Sequence, residues 1–412
     1  MKKRIVSLLT VIIVMILVFS VPTFAAKYVA SVDGKSFTSV QKAVNSMKSG
    51  QTLTLLSDVS SNSTVKINLG SKKVSFNFAG NRYQYSGNGT AFTISSGDIT
   101  FRGMKVLSKN YAFTIKKGST VTLSNGRCTG YIENKGSLTI NGGSYGAVGC
   151  VYSYDNKDKD ELIQNYNKLT INKGDFTGYK DNAVCIFKGS TVINGGKFVA
   201  NVEHEDRRWP VISVWKNTSL IVNNGSFSGK GSCIDSRGKT TIKGGKFKST
   251  NYITIYNYQG NMRIEGGTVT GTKDYYAIVN EKGNMTIVDV TVKGGVGNET
   301  TKNRKLKIYS GSFSDYSGYY NIRNFQGTME IDGGKFVSKK ANTVYNDKGA
   351  KLVISDGVFL QKGDNHYALY NLGKATLTGG SFTTRGYKYA IGSASGSVLK
   401  KNSSVDGEVD YQ

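Results

Sequence analysis

One eight-residue phrase recurs through most of this chain: LTINGGSY at 138–145, TVINGGKF at 191–198, LIVNNGSF at 220–227, TTIKGGKF at 240–247, LKIYSGSF at 306–313, MEIDGGKF at 329–336 and ATLTGGSF at 375–382. Aligned on the residue before the glycines, it falls at Phe101, Leu123, Ile140, Ile171, Ile193, Val222, Ile242, Ile264, Ile287, Ile308, Ile331, Ile354 and Leu377, with steps of 20 to 23 residues from Val222 onward. Self-similarity at such a period means a solenoid, because one unit cannot bury its own apolar face and must stack on its neighbours.

The unit itself selects the kind of solenoid. From Asn342 it reads NTVYN, DKGAK, LVI, SDG, VFL: short alternating runs of β-branched and aromatic residues, separated by Gly, Asn and Asp. These are strands joined by tight turns. The leucine-rich consensus, long helical periods and the calcium-binding GGxGxD nonapeptide are all absent, which leaves a parallel β-helix. Successive coils lie about 4.8 Å apart, so equivalent slots form columns. The residues after the glycines (Tyr145, Phe176, Phe198, Phe227, Phe247, Phe313, Phe336, Phe359, Phe382) are expected to make one continuous aromatic column. Asn134, Asn165, Asn257, Asn280, Asn324, Asn346 and Asn371 make an amide ladder inside a turn.

The ends depart from the repeat. Lys2, Lys3 and Arg4 precede an apolar run from Ile5 to Val21, and Thr23-Phe24-Ala25 offers a cleavage site. That is a secretory signal peptide. KYVASV, SFTSVQKAVNSMKSG and QTLTLL then read as strand, short amphipathic helix and strand, a cover for the open end of the stack. The expected division is 1–25 signal peptide, 26–70 N-terminal cap, 71–392 β-helix and 393–412 C-terminal tail. The four cysteines, Cys128, Cys150, Cys185 and Cys233, are too irregular for a disulfide framework and are expected as buried thiols.

A leader, a covering helix, coils of this length, an Asn ladder and inward aromatics resemble the right-handed parallel β-helices of the pectate-lyase-like superfamily. The likeness spans roughly Lys27 to Gly392 and is closest to secreted, Gly-rich β-helix proteins of Gram-positive bacteria. The expected fold is therefore all-β, a single-stranded right-handed parallel β-helix of about 13 coils with an N-terminal capping helix. The catalytic motifs of that superfamily are broken here. Its Arg-x-Pro-x-x-Arg element is matched by Arg208-Trp209-Pro210, but Ser213 holds the last arginine's slot. No Asp-Asp pair exists, neither His204 nor His366 precedes Gly, and Arg263-Ile264-Glu265 stands where Arg-Ile-Lys is required.

Two insertions stretch the period, to 31 residues before Ile171 and to 29 before Val222. Insertions in a solenoid become loops beside the stack and often carry function. In the first, Asn156, Asp158 and Asp160 alternate like calcium ligands, but Glu161 fills the required glycine's slot and Asn167 that of the terminal glutamate, so a solvated loop is preferred. No cofactor is expected, and calcium at this loop is the one alternative. The second, NVEHEDRRWPVISVW, holds both tryptophans (Trp209, Trp215) and one of the two histidines. Arg207, His204 and Trp209 are glycan-binding candidates there, and Glu203, Asp206 and Arg208 are candidates for acid–base chemistry. A salt-bridged loop anchored by tryptophan is the competing structural reading.

A further candidate surface is a stripe. In the strands ending at the Asn ladder, Ile255, Ile278, Ile322, Val344 and Leu369 should face in, so Tyr256, Val279, Arg323, Tyr345 and Tyr370 should face out. Tyr256, Arg323, Tyr345 and Tyr370 on a rigid strand suit an extended polysaccharide, or else pack on one another. The formal net charge of +26 favours acidic partners such as anionic wall polymers, or serves solubility. The cations are dispersed and carry no recognition motif, which argues against nucleic acid. The expected function is that of a secreted or cell-surface bacterial monomer without a membrane span after cleavage, which binds acidic or cell-surface glycans without turnover. The alternatives are a polysaccharide lyase or glycoside hydrolase with a diverged site at 203–215, and a structural envelope spacer.

Overall fold

The computed structural model describes residues 27–147, 161–179, 181–200, 209–300, 304–315 and 320–412. The expected signal peptide, Cys150, the calcium candidates Asn156, Asp158 and Asp160, and Glu203, His204, Asp206, Arg207 and Arg208 lie outside the described residues.

The chain forms a single parallel β-helix of about 14 turns. A coil contributes three strands, illustrated by Ile322–Gln326, Thr328–Ile331 and Lys335–Ser338. Each pairs in parallel with its counterpart one coil on, to Val344–Asn346, Lys351–Ile354 and Val358–Gln361. These strands build three faces: an asparagine face, a branched face and an aromatic face. On the branched face Ile140, Ile171, Ile193, Val222 and Ile242 are in register, as are Ile308, Ile331, Ile354 and Leu377 further along. All of these are fully buried. Alternation puts every second residue inside, which is why Leu–x–Ile and Phe–x–Ser patterns recur.

The aromatic column exists, but in two pieces. Tyr145, Phe176, Phe198, Phe227 and Phe247 stack at centroid distances of 5.0, 4.7, 4.9 and 4.8 Å. Phe313, Phe336, Phe359 and Phe382 stack at 4.7, 4.8 and 4.6 Å. Val269 and Val292 occupy the slot between the two runs, so the continuous column expected from the sequence is interrupted for two coils. Each ring pair adds about 0.5–1.5 kcal/mol beyond area burial.

The amide ladder is likewise segmented. Asn134 donates to Asn165 at 2.7 Å. Ile186, Val214 and Ser236 hold the slot for the next three coils. The amides resume at Asn257 and run through Asn280, Asn298, Asn324 and Asn346 to Asn371 at 2.7–3.3 Å. Asn298 belongs to this ladder although the sequence did not single it out. Asn141, Asn172, Asn194 and Asn223 form a second, exposed ladder at the glycine corner, with bonds of 2.7, 2.6 and 2.6 Å.

At the N-terminus, Ala30–Val32 pairs antiparallel with both Lys35–Phe37 and Thr52–Leu55. The helix α1 spans only Val40–Ser46; the Ser39 hydroxyl accepts from the Lys42 N–H at 3.2 Å, and Val40, Ala43 and Val44 are buried. Parallel pairing starts with Thr52–Leu55 on Val65–Asn77, before the boundary drawn at 71. It also runs past 392, because Val398–Lys401 and Val409–Tyr411 keep the alternation and pair with the preceding coil.

Candidate functional site

The two insertions share one corner. The chain leaves the aromatic face after Ser144–Gly146 and re-enters the asparagine face at Ile163–Asn165; it leaves again after Lys197–Ala200 and returns at Ile212–Val214. The sequence leaves it open whether the insertions share one, because aligning Cys150 with Cys185 places the first on a different turn. The register instead sets Gln164 beside Cys185, and this moves both insertions to the same edge.

Between the two returns lies a groove of about 460 Å³, lined by Glu161, Asn182, Cys185, Trp209, Pro210, Ser213, Trp215, Asp235 and Arg237. Its floor is a row of outward residues on consecutive strands: Cys185 pairs with Ser213, and Ser213 with Asp235. Their inward neighbours Val184, Ile212 and Ile234 are fully buried, so the floor is rigid. On one side the buried Asn182 amide donates to the Pro210 carbonyl and ties that wall together. On the other stands a row of rings and cations: Tyr166 on Phe187 at 5.0 Å, Phe187 on Trp215 at 5.4 Å, then Arg237 at 5.9 Å from Trp215. Trp209 and Trp215 are 36% and 44% exposed, high for side chains of this size and apolar area.

Electrostatics mark the floor. Burial raises the Asp235 carboxyl above its ordinary range; nearby Arg237 opposes this and Glu281 adds to it. Asp235 Oδ1 has no hydrogen-bond partner among the described residues. The Cys185 thiol is pushed well up by burial and by Glu161, against hydrogen bonds from Trp215 and Ser213, so it is a poor nucleophile. The folded chain holds the Asp235 proton more tightly than the unfolded chain does. Its cost is therefore nil below the ordinary carboxylate range and grows as pH rises through the raised value. Asp235→Asn should raise stability by about 1 kcal/mol at neutral pH and leave it unchanged in acid. Thermal unfolding of both proteins at the two pH values checks this; equal shifts at both would contradict it.

The stripe residues fall on the outward row in the expected register, with Arg323 beside Tyr345 and Tyr345 beside Tyr370. They are occupied with one another. The Tyr256 hydroxyl donates to the Glu281 carboxylate. Arg323 Nε and Nη2 donate to Asp347 at 2.8 and 3.2 Å, and its guanidinium lies 4.1 Å from the Phe325 ring centroid and 5.4 Å from those of Tyr320 and Tyr345. Tyr345 stacks on Tyr320 at 4.4 Å and meets Tyr370 at 5.7 Å, while the Tyr370 hydroxyl donates to Gln412 at 3.2 Å. Val279, expected to face solvent, is only 3% exposed. Its row neighbour is Gly297, where a Cβ would stand 3.3 Å from Phe325 and 3.4 Å from Tyr276, so those rings fold down over the row.

Of the sequence candidates among the described residues, only Trp209 lines the groove. Cys185, Ser213, Asp235 and Arg237 were passed over because each is unremarkable in its own coil. The available signal was the slot shared by Cys185, Ser213 and Asp235: in register with Tyr256 but filled by small or acidic residues beside the two insertions. Cys128, Cys185 and Cys233 are buried. Among the described residues no three His, Cys, Asp or Glu side chains converge as metal ligands, and no helix is long and apolar enough to cross a membrane. No family model, curated protein or solved structure matches this chain.

Proposed function

We propose that this is a secreted bacterial β-helix protein of the pectate-lyase-like kind that binds extracellular glycans in the groove between its two insertions and does not cleave them. The observation that carries the reading is the pair of exposed tryptophans, Trp209 and Trp215, beside a rigid floor that presents Asp235. Aromatic faces stack on the apolar faces of sugar rings while fixed polar groups take the hydroxyls. The leader at Lys2 to Ala25 supports an extracellular setting.

Binding is favoured over hydrolysis by the spacing of the two carboxylates that line the groove among the described residues. Glu161 and Asp235 belong to coils three apart, about 14 Å at the strand spacing. An acid and a base acting on one glycosidic bond stand about 5–9.5 Å apart. The tyrosine–arginine cluster is assigned a supporting role, because its hydrogen-bonding and stacking capacity is already used internally.

Affinity electrophoresis in gels containing single polysaccharides, neutral and acidic, tests the reading. Trp215→Ala and Trp209→Ala are each expected to weaken binding about tenfold, the loss of one stacking contact. Unchanged retardation of both variants would sink it. New reducing ends in the same incubations would instead favour the enzymatic alternative and direct attention to Glu203, Asp206 and Arg208.

A further inference from the structure

The corner that follows the asparagine face, adjoining the groove, carries a second cavity. Lys216, Arg237, Gln259, Lys282 and Arg304 line a concavity of about 250 Å³. They come from successive coils, one long polar side chain per coil at a spacing of about 4.8 Å, and all are exposed. We propose that this corner is a subsite for phosphate or sulfate esters, so that the bound glycan is a polyanion whose tetrahedral groups lie along the corner while a sugar ring stacks in the groove. The proposal rests on the glycan-binding reading and names its substrate class.

Three observations support it. First, three of the four cations make no ion pair, and Arg237 has only the longer-range attraction of the Asp235 carboxyl. Among the described residues the one ion pair in the set joins Lys282 to Glu281 at 2.8 Å, and Lys216, Arg237 and Arg304 have none. Bringing like charges together on a stack is unfavourable unless an anion joins them. Elsewhere Lys197 and Lys246 are separated by the neutral Ser226, and Lys351 stacks on Lys374; the corner differs in gathering four cations around one cavity.

Second, two of the heads are held in place by rings. The Arg237 guanidinium lies 5.9 Å from the Trp215 ring centroid and 5.2 Å from that of Tyr258, and Lys282 Nζ lies 4.7 Å from Tyr258. Side chains fixed this way lose less freedom when a ligand arrives. Third, the cavity is continuous with the groove: Arg237 lines both, and Trp215 in the groove immediately precedes Lys216 in the corner. A ring stacked on Trp215 would therefore carry its substituents over Arg237 and Lys216.

The geometry favours tetrahedral esters over uronic carboxylates. A guanidinium fork with ammonium groups converging from neighbouring coils matches three outward oxygens in different directions. A carboxylate offers two oxygens in one plane and is satisfied by a single arginine.

The test measures binding of the full mature chain at about 0.15 M salt to four immobilised probes: dextran sulfate, dextran phosphate, polygalacturonate and unmodified dextran. A fifth arm uses single-stranded DNA. Wild type should hold a sulfate or phosphate polymer about tenfold more tightly than polygalacturonate of matched charge. Lys216→Gln/Arg304→Gln should lose about tenfold on that polymer. The charge-matched control Lys335→Gln/Lys351→Gln, on the other two faces, should lose little.

Equal losses in the two double variants would overturn the subsite, because net charge alone would then explain retention. So would equal affinity for polygalacturonate, or DNA held more tightly than any polysaccharide. Circular dichroism of each variant excludes misfolding as the cause of a loss. Trp215→Ala separates the two readings. If neutral dextran binds through Trp215 without any preference for esters, only this inference fails; if no polysaccharide binds the wild type, the glycan reading fails with it.

Discussion

Phe336→Ala is expected to destabilise the β-helix by about 3–5 kcal/mol. The Phe336 ring is fully buried and lies between Phe313 and Phe359 at 4.7 and 4.8 Å, with planes 10° and 4° from parallel. Truncation removes its transfer energy, leaves a cavity, and takes a stacking partner from both neighbours at once. Adjacent coils are held by continuous backbone pairing and cannot move in to fill the gap. Phe336→Val should cost less, since Val292 and Val269 occupy the same slot two and three coils before it. Denaturant unfolding gives the size of the loss, and hydrogen exchange gives its place. A solenoid couples chiefly nearest neighbours, so protection should fall most around Phe313 and Phe359. A loss below about 1 kcal/mol would show that the column is not a main source of cohesion.

Gly126→Ala should be at least as severe, for a backbone reason. Gly126 opens the strand Gly126–Asn134 with a φ of +129°, a conformation closed to L side chains. A Cβ there would stand 2.1 Å from the carbonyl oxygen and 2.5 Å from the nitrogen of Met104, main-chain atoms of the preceding coil. A flexible side chain could swing away from such a clash, but a paired strand cannot. Relief requires breaking the pairing of Gly126 with Met104. We expect a loss above about 4 kcal/mol, seen as failure to accumulate folded protein or as a greatly lowered unfolding midpoint. Gly80→Ala is the contrasting control: its φ is also positive, at +84°, but nothing lies near its Cβ. That substitution should cost only the backbone strain, about 1–2 kcal/mol. Equal losses at both sites would mean that coil spacing is not what constrains Gly126.

The features legible in the sequence are those that repeat locally. Ile331 and Phe336 show their burial through two-residue alternation inside one coil, and the coil's recurrence shows that the same slots stack. Because each coil touches mainly its neighbours, a pattern one coil long is almost the whole packing problem. The interruptions were harder to see. Val269 and Val292 still fit an apolar slot, and Asn298 sits in a coil with an irregular turn, so whether a column continued past them depended on register.

The groove depended on register altogether. Its floor residues, Cys185, Ser213 and Asp235, lie in three coils, and the intervening insertion changes the sequence separation between equivalent positions. No fixed period relates them. Only backbone pairing, which counts strands and ignores loop length, could bring Trp209, Asp235 and Arg237 to one place. The same holds for the cation corner, where Lys216 and Arg304 are 88 residues apart in sequence yet line one cavity. The sequence by itself determined that the chain coils, where it bends and which side chains fill its core, since these follow from local alternation and from the torsions open to glycine. The tertiary structure alone decided which outward side chains become neighbours, since that is set by how many strands, rather than how many residues, lie between them.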